Sequence, residues 1–141
     1  MGKPLSRKYK RNGGYVQKHE EWLSSPAYRD LKPIARCLLE EFQRIYRPDR
    51  NGKLSISVAN ACILVNASKE SLSNAFYELA KHGFIKPTKD AYWMERMARE
   101  WTLTFEPLNG REPTDDWKKW EVDKPVFDLP RPCIINLRGD I

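Results

Sequence analysis

The chain has 141 residues, a net charge of +6 and an aromatic content of 11%. That length suits one domain that builds its own core without disulfide staples. No run approaches the roughly 18 apolar residues that a membrane span requires. The three cysteines, Cys37, Cys62 and Cys133, form no CxxC pair.

The odd cysteine count and the lack of an apolar leader predict a reducing, cytoplasmic setting. Cys37 and Cys62 lie in apolar runs and read as small buried hydrophobes. The basic excess suits a nucleic-acid partner, although many ordinary proteins carry as much.

Charge divides the chain into three zones. Residues 1–21 carry six Lys/Arg against two Glu and read as a flexible basic arm. Residues 22–105 carry 13 basic and nine acidic residues and most of the periodic pattern. Residues 106–141 carry six basic and eight acidic residues and the prolines 107, 113, 125, 130 and 132, so this extension cannot be one regular element.

In chain order, Ser25 followed by Pro26 is a helix start, an N-cap and then a proline at the first helical position. Lys32-Pro33 starts a second helix. Leu31, Ala35, Leu38, Phe42 and Ile45 give it one apolar face running to about Tyr46. The cluster Pro48-Asp49-Arg50-Asn51-Gly52 ends it in a turn. Leu54, Ile56 and Val58 then alternate with polar residues as a short strand would, and Ser57 can cap the next helix, Val58 to Val65.

Asn66 follows at a position where a helix-turn-helix needs positive φ. Glycine is the usual choice there, and Asn is the next best. Ser68 caps a helix over 68–82 whose stripe is Leu72, Ala75, Phe76 and Leu79. Gly83 ends that helix. Phe84-Ile85-Lys86 starts a strand, Thr88-Lys89-Asp90 turns, and Trp101, Leu103 and Phe105 alternate with Thr102 and Thr104 as a second strand. Two antiparallel strands after such a helix make a wing. Further on, Thr114 reads as the N-cap of a short helix that puts Trp117 and Trp120 on one side.

The fold expected is therefore mainly α with a small β wing, a winged helix-turn-helix over 22–105. The motif usually places one helix in a DNA groove. On the 68–82 helix, Ser73, Asn74 and Tyr77 are candidates for base edges, and Lys69 and Lys81 for phosphates. In the wing, Lys86, Lys89, Arg96 and Arg99 interleave with Tyr92 and Trp93, which suits phosphate contact and stacking. A plain solvated helix face would carry similar residues. The arm either follows the phosphates or acts as a solubilising tail. Trp117 and Trp120 either cap the core or offer a protein contact.

Nothing points to an enzyme or a cofactor. The only histidines are His19 and His82, and there is no metal-ligand spacing, phosphate loop or nucleophile motif. Asp115-Asp116 are adjacent, so on a helix their carboxylates do not converge.

Four stretches carry a resemblance. They are Ser25-Pro26-Ala27-Tyr28-Arg29-Asp30-Leu31, Asn51-Gly52, Glu78-Leu79 with Gly83-Phe84, and Ala98-Arg99-Glu100-Trp101-Thr102-Leu103-Thr104; Pro113-Thr114 fits as well. On these, the region from Ser24 to Trp120, about two-thirds of the chain, resembles small helix-turn-helix proteins of phages and other mobile elements, largely in proteobacteria and often labelled replication or regulatory proteins. It departs from them at Asn66, where Gly is usual, and at Cys62, where Ala is usual. The turn, the polar helix face and the wing predict a protein that binds double-stranded DNA, in transcription regulation or replication initiation of a mobile element. The alternative is a winged-helix protein-interaction module, such as a phage-encoded inhibitor of a host or defence complex. In either case the extension is a candidate surface for a homodimer or another protein partner.

Overall fold

Residues 11–88 and 100–129 are described by a computed structural model. Two one-turn helices come first, α1 (Glu20–Leu23) and α2 (Pro26–Arg29). Ser25 joins them: its hydroxyl accepts from the Tyr28 amide at 3.1 Å and donates to the Trp22 carbonyl at 2.7 Å. Helix α3 (Pro33–Ile45) buries Ala35, Leu38, Leu39 and Phe42. Helix α4 (Val58–Val65) is capped by Ser57, and α5 (Lys69–Lys81) by Ser68. Both caps follow from a hydroxyl residue supplying the acceptor that a first-turn amide lacks.

Strands β1 (Ile85–Pro87) and β2 (Trp101–Leu103) pair antiparallel, with Ile85 opposite Leu103 and Pro87 opposite Trp101. Pro87 is tolerated because β1 is an edge strand. On the far side of β2, Leu54 bridges Trp101 through amide-to-carbonyl bonds of 2.8 and 3.3 Å. The described residues thus form a mainly helical domain of five helices with a small antiparallel sheet.

The core has two aromatic centres. Phe42 of α3 meets Phe76 of α5 edge-on at 5.9 Å, and Phe76 stacks on Trp101 of β2 at 5.9 Å. The second gathers Trp22, Tyr28, Phe84, Phe105 and Trp117 (Trp22–Phe105 centroids 4.7 Å apart). It joins α1 and α2 to the exit of α5 and to the extension. Trp117 is buried, at the start of a 3-10 turn, Asp116–Lys119.

Several local expectations are corrected. The strand around Leu54, Ile56 and Val58 shrinks to the single bridge at Leu54, because Ser57 already turns the chain into α4. Trp101 to Phe105 do not alternate in exposure: Thr102 and Thr104 are buried too. Thr104 is accommodated by donating to the Gly83 carbonyl at 2.5 Å, and the Thr102 hydroxyl lies 3.1 Å from that of Thr88. Thr114 is not the N-cap of the last turn. Asp115 takes that place with φ 49°, pinned by its amide to the Thr104 carbonyl at 2.8 Å. Cys37 is exposed and Cys62 half-buried, since on α3 the cysteine lies off the core stripe of Ala35, Leu38, Leu39 and Phe42.

Candidate nucleic-acid interface

The link between α4 and α5 decides how the second helix is presented. Asn66 adopts φ 63° and ψ 56°, and its amide donates to the Cys62 carbonyl at 2.8 Å; the Ala67 amide reaches the same carbonyl at 3.2 Å. An L-residue is costly in this conformation unless it is Asn or Asp, whose short polar side chains tolerate it. Ser68 then caps α5 through the Ser71 amide at 3.1 Å. Three residues suffice to stop one helix, turn, and start the next.

The stripe of α5 is buried as its spacing predicts: Leu72, Ala75, Phe76 and Leu79 are all inside. Lys69, Glu70 and Asn74 are exposed and Ser73 is half-buried, so these four occupy the open surface of the first two turns. The helix N-terminus adds its partial positive charge to that of Lys69. Glu70 opposes both and sits within reach of the same surface, so it disfavours phosphate close to its carboxylate.

The second half of α5 is different. Tyr77 is only 5% exposed, so its expected place beside Ser73 and Asn74 on the open face is corrected. At the helix end, a Schellman arrangement closes on Gly83 (φ 85°): the Gly83 amide donates to the Ala80 carbonyl and the Phe84 amide to the Leu79 carbonyl, each at 3.0 Å. The extension then bonds the same turn, from the Val126 amide to the Lys81 carbonyl at 2.8 Å and from the Phe127 amide to the Ala80 carbonyl at 3.3 Å. Carbonyls that a helix end leaves without partners are thereby used.

Lys81 is half-buried and lines a groove of about 410 Å³ with Asp30, His82, Trp120, Asp123 and Asp128 among its walls. The groove is lined by more carboxylates than cations, which makes it a poor seat for a phosphate. His82 is buried there, its ring nitrogens 2.8 Å from the Asp30 carboxylate and 2.8 Å from the Glu78 carbonyl, under the indole of Trp120 at 4.9 Å. Nothing in the sequence marks the link between His82 and Asp30. The two residues are 52 positions apart and no spacing signals the pair.

Of the hairpin candidates, Lys86 is half-buried on β1, with its neighbours Ile85 and Pro87 in the sheet. Lys89, Arg96 and Arg99 lie outside the described residues, as do Tyr92 and Trp93. Trp117 stacks on Phe84 at 6.3 Å and 5° inside the core, so it offers no outer surface to a partner; Trp120 is half-exposed over His82. Among the described residues, no three His, Cys, Asp or Glu side chains are placed to hold a metal ion, and no helix is long and apolar enough to cross a membrane.

Comparison with protein families, with curated proteins and with solved structures finds no match to this chain.

Proposed function

We propose that the chain is a winged helix-turn-helix protein that binds double-stranded DNA through α5 and the hairpin after it, in transcription regulation or replication initiation of a mobile element. The observation that carries this reading is the left-handed Asn66 between two capped helices, followed by an open polar surface on the first two turns of α5. The order of helices, bridge and hairpin is compatible with that fold. The contact set centres on Lys69, Ser73 and Asn74, with Lys86, Lys89, Arg96 and Arg99 as the hairpin's share.

The test is a titration of the full chain with duplex DNA at several salt concentrations. Affinity falls as salt rises if phosphates are contacted. Lys69→Ala lowers the slope of log affinity against log salt by about 1. Asn74→Ala costs about 1–3 kcal/mol on a selected site and little on random duplex. Absence of binding to any duplex at low salt sinks the reading. The protein-module alternative loses Trp117, now a core residue, as its anchor. It predicts that Lys69→Ala and Asn74→Ala leave activity intact.

A further inference from the structure

Between Arg44 and Lys53 the chain holds four basic side chains and one acidic one, in a molecule of net charge +6. Arg44 is paired with Glu41 at 2.7 Å. Arg47, Arg50 and Lys53 are exposed, and none of them makes an ion pair among the described residues. Two successive turns gather them: the Arg50 amide donates to the Arg47 carbonyl at 2.8 Å, and the Lys53 amide to the Arg50 carbonyl at 2.9 Å. Such a turn keeps its end residues within about 7 Å of each other. Unpaired like charges held that close repel, and a polyanion relieves the repulsion.

The turn is fixed from beneath. Asn51 and Gly52, between the exposed Arg50 and Lys53, are both buried. The side-chain amide of Asn51 is bonded to the backbone of Leu103, Glu106 and Pro107, and the Gly52 carbonyl accepts from the Thr88 hydroxyl. Lys86, two residues before Thr88 and opposite Thr102, faces the same side of the sheet as both threonines. The basic turn therefore sits against the root of the hairpin, on the side that Lys86 faces. Asp49 and Glu100 are exposed acids of this surface, against four cations, Arg47, Arg50, Lys53 and Lys86; Glu106 is half-buried beside Tyr46 and His19.

We propose that this turn is a second phosphate-contacting surface, which holds the backbone of the duplex beyond the segment that α5 and the hairpin meet. The proposal rests on the reading of the chain as a duplex-binding protein. Two of the turn's three unpaired cations are arginines, whose planar fork suits phosphate oxygens. The segment from Arg47 to Lys53 has no aromatic residue, so it lacks the stacking platform that single strands use. Contacts to backbone alone add affinity without sequence preference.

The experiment is a salt titration of the full chain on long mixed-sequence duplex DNA. Arg47 is left in place, because its guanidinium also donates to the Tyr46 carbonyl at 2.7 Å. Arg50→Ala/Lys53→Ala is expected to lower the slope of log affinity against log salt by about 2, with circular dichroism and urea unfolding unchanged. Arg50→Lys/Lys53→Arg keeps both charges and keeps the slope. Lys118→Ala/Lys119→Ala removes the same charge from the 3-10 turn and leaves the slope in place. A slope unaffected by Arg50→Ala/Lys53→Ala, or lowered equally by Lys118→Ala/Lys119→Ala, overturns the proposal and leaves the role of α5 standing. Conversely, a lowered slope for the turn variant beside no effect of Lys69→Ala and Asn74→Ala removes α5 as the reader and keeps the basic turn. A wild-type chain that binds no duplex at low salt overturns both.

Discussion

Asn66 and Gly83 hold the two ends of α5 by different means. Asn66 stands in open space with positive φ, so its demand is conformational, and Asn66→Gly should change stability by only a few tenths of a kcal/mol. Gly83 has the same kind of backbone angle plus a steric limit: a Cβ there would lie 2.7 Å from the Asp116 carbonyl oxygen. Gly83→Ala is therefore expected to cost about 2–4 kcal/mol in urea unfolding, by strain and by pushing the 3-10 turn off Phe84. Both residues were legible as turn residues in the sequence. The close approach of Asp116 was not, because a glycine chosen for φ and one chosen for space look alike in a string of letters. Glu106 illustrates a second limit. Burial raises its carboxyl above the ordinary carboxylate range, against smaller opposing effects of His19 and the Tyr46 hydroxyl. A raised folded-state value means a contribution that is full below the unfolded value and lost as pH climbs through the folded one. Glu106→Gln should then raise the melting temperature at neutral pH, with the gain vanishing toward pH values where Glu106 is protonated. Melting curves across pH check this, and a gain that persists unchanged in acid contradicts it.

At the scale of elements, the caps and the stripe of α5 could be read directly, since each rests on residues within four positions of one another. The face of Tyr77 could not. It is one residue from Phe76 and 100° round the helix, and whether that angle meets solvent depends on what else packs there. The extension supplied the other surprise: a proline-rich acidic tail gives no periodic signal, yet its backbone closes the last turn of α5. Trp120 over His82 contributes to holding it. Trp120→Ala should raise hydrogen exchange of the amides in the last turn of α5 by up to about tenfold, as expected for losing about 0.5–1.5 kcal/mol of ring contact. The amides next to Ser68 should be unaffected, and equal acceleration at both ends of α5 would show that the extension is not a local brace. The exposed residues of α5 are Lys69, Glu70 and Asn74, all in its first two turns, a narrower open face than the spacing suggests.

Across the whole molecule, the core joins distant pieces. Composition announced plentiful aromatics, but their division into a centre around Phe42 and another around Phe84 depends on which elements meet, which no local pattern encodes. The clearest long-range link is Asn51. The two hydrogens of its Nδ2 are shared among the carbonyls of Leu103, Glu106 and Pro107 at 3.1, 3.2 and 2.9 Å, and its Oδ1 accepts from the Leu103 amide at 2.8 Å. In the sequence it was one member of a turn cluster. This single buried amide closes a loop of 52 residues, whereas α4 and α5 meet through a three-residue turn. Chain-closure entropy must be met before such a contact is rewarded, so the helices should assemble early and the Asn51 knot should tie late. Asn51→Ala would then accelerate unfolding and leave the refolding arm of a chevron nearly in place. On that expectation, how long the native state survives, rather than how quickly it forms, depends on an amide that the reading frame of a helix or a strand would never single out.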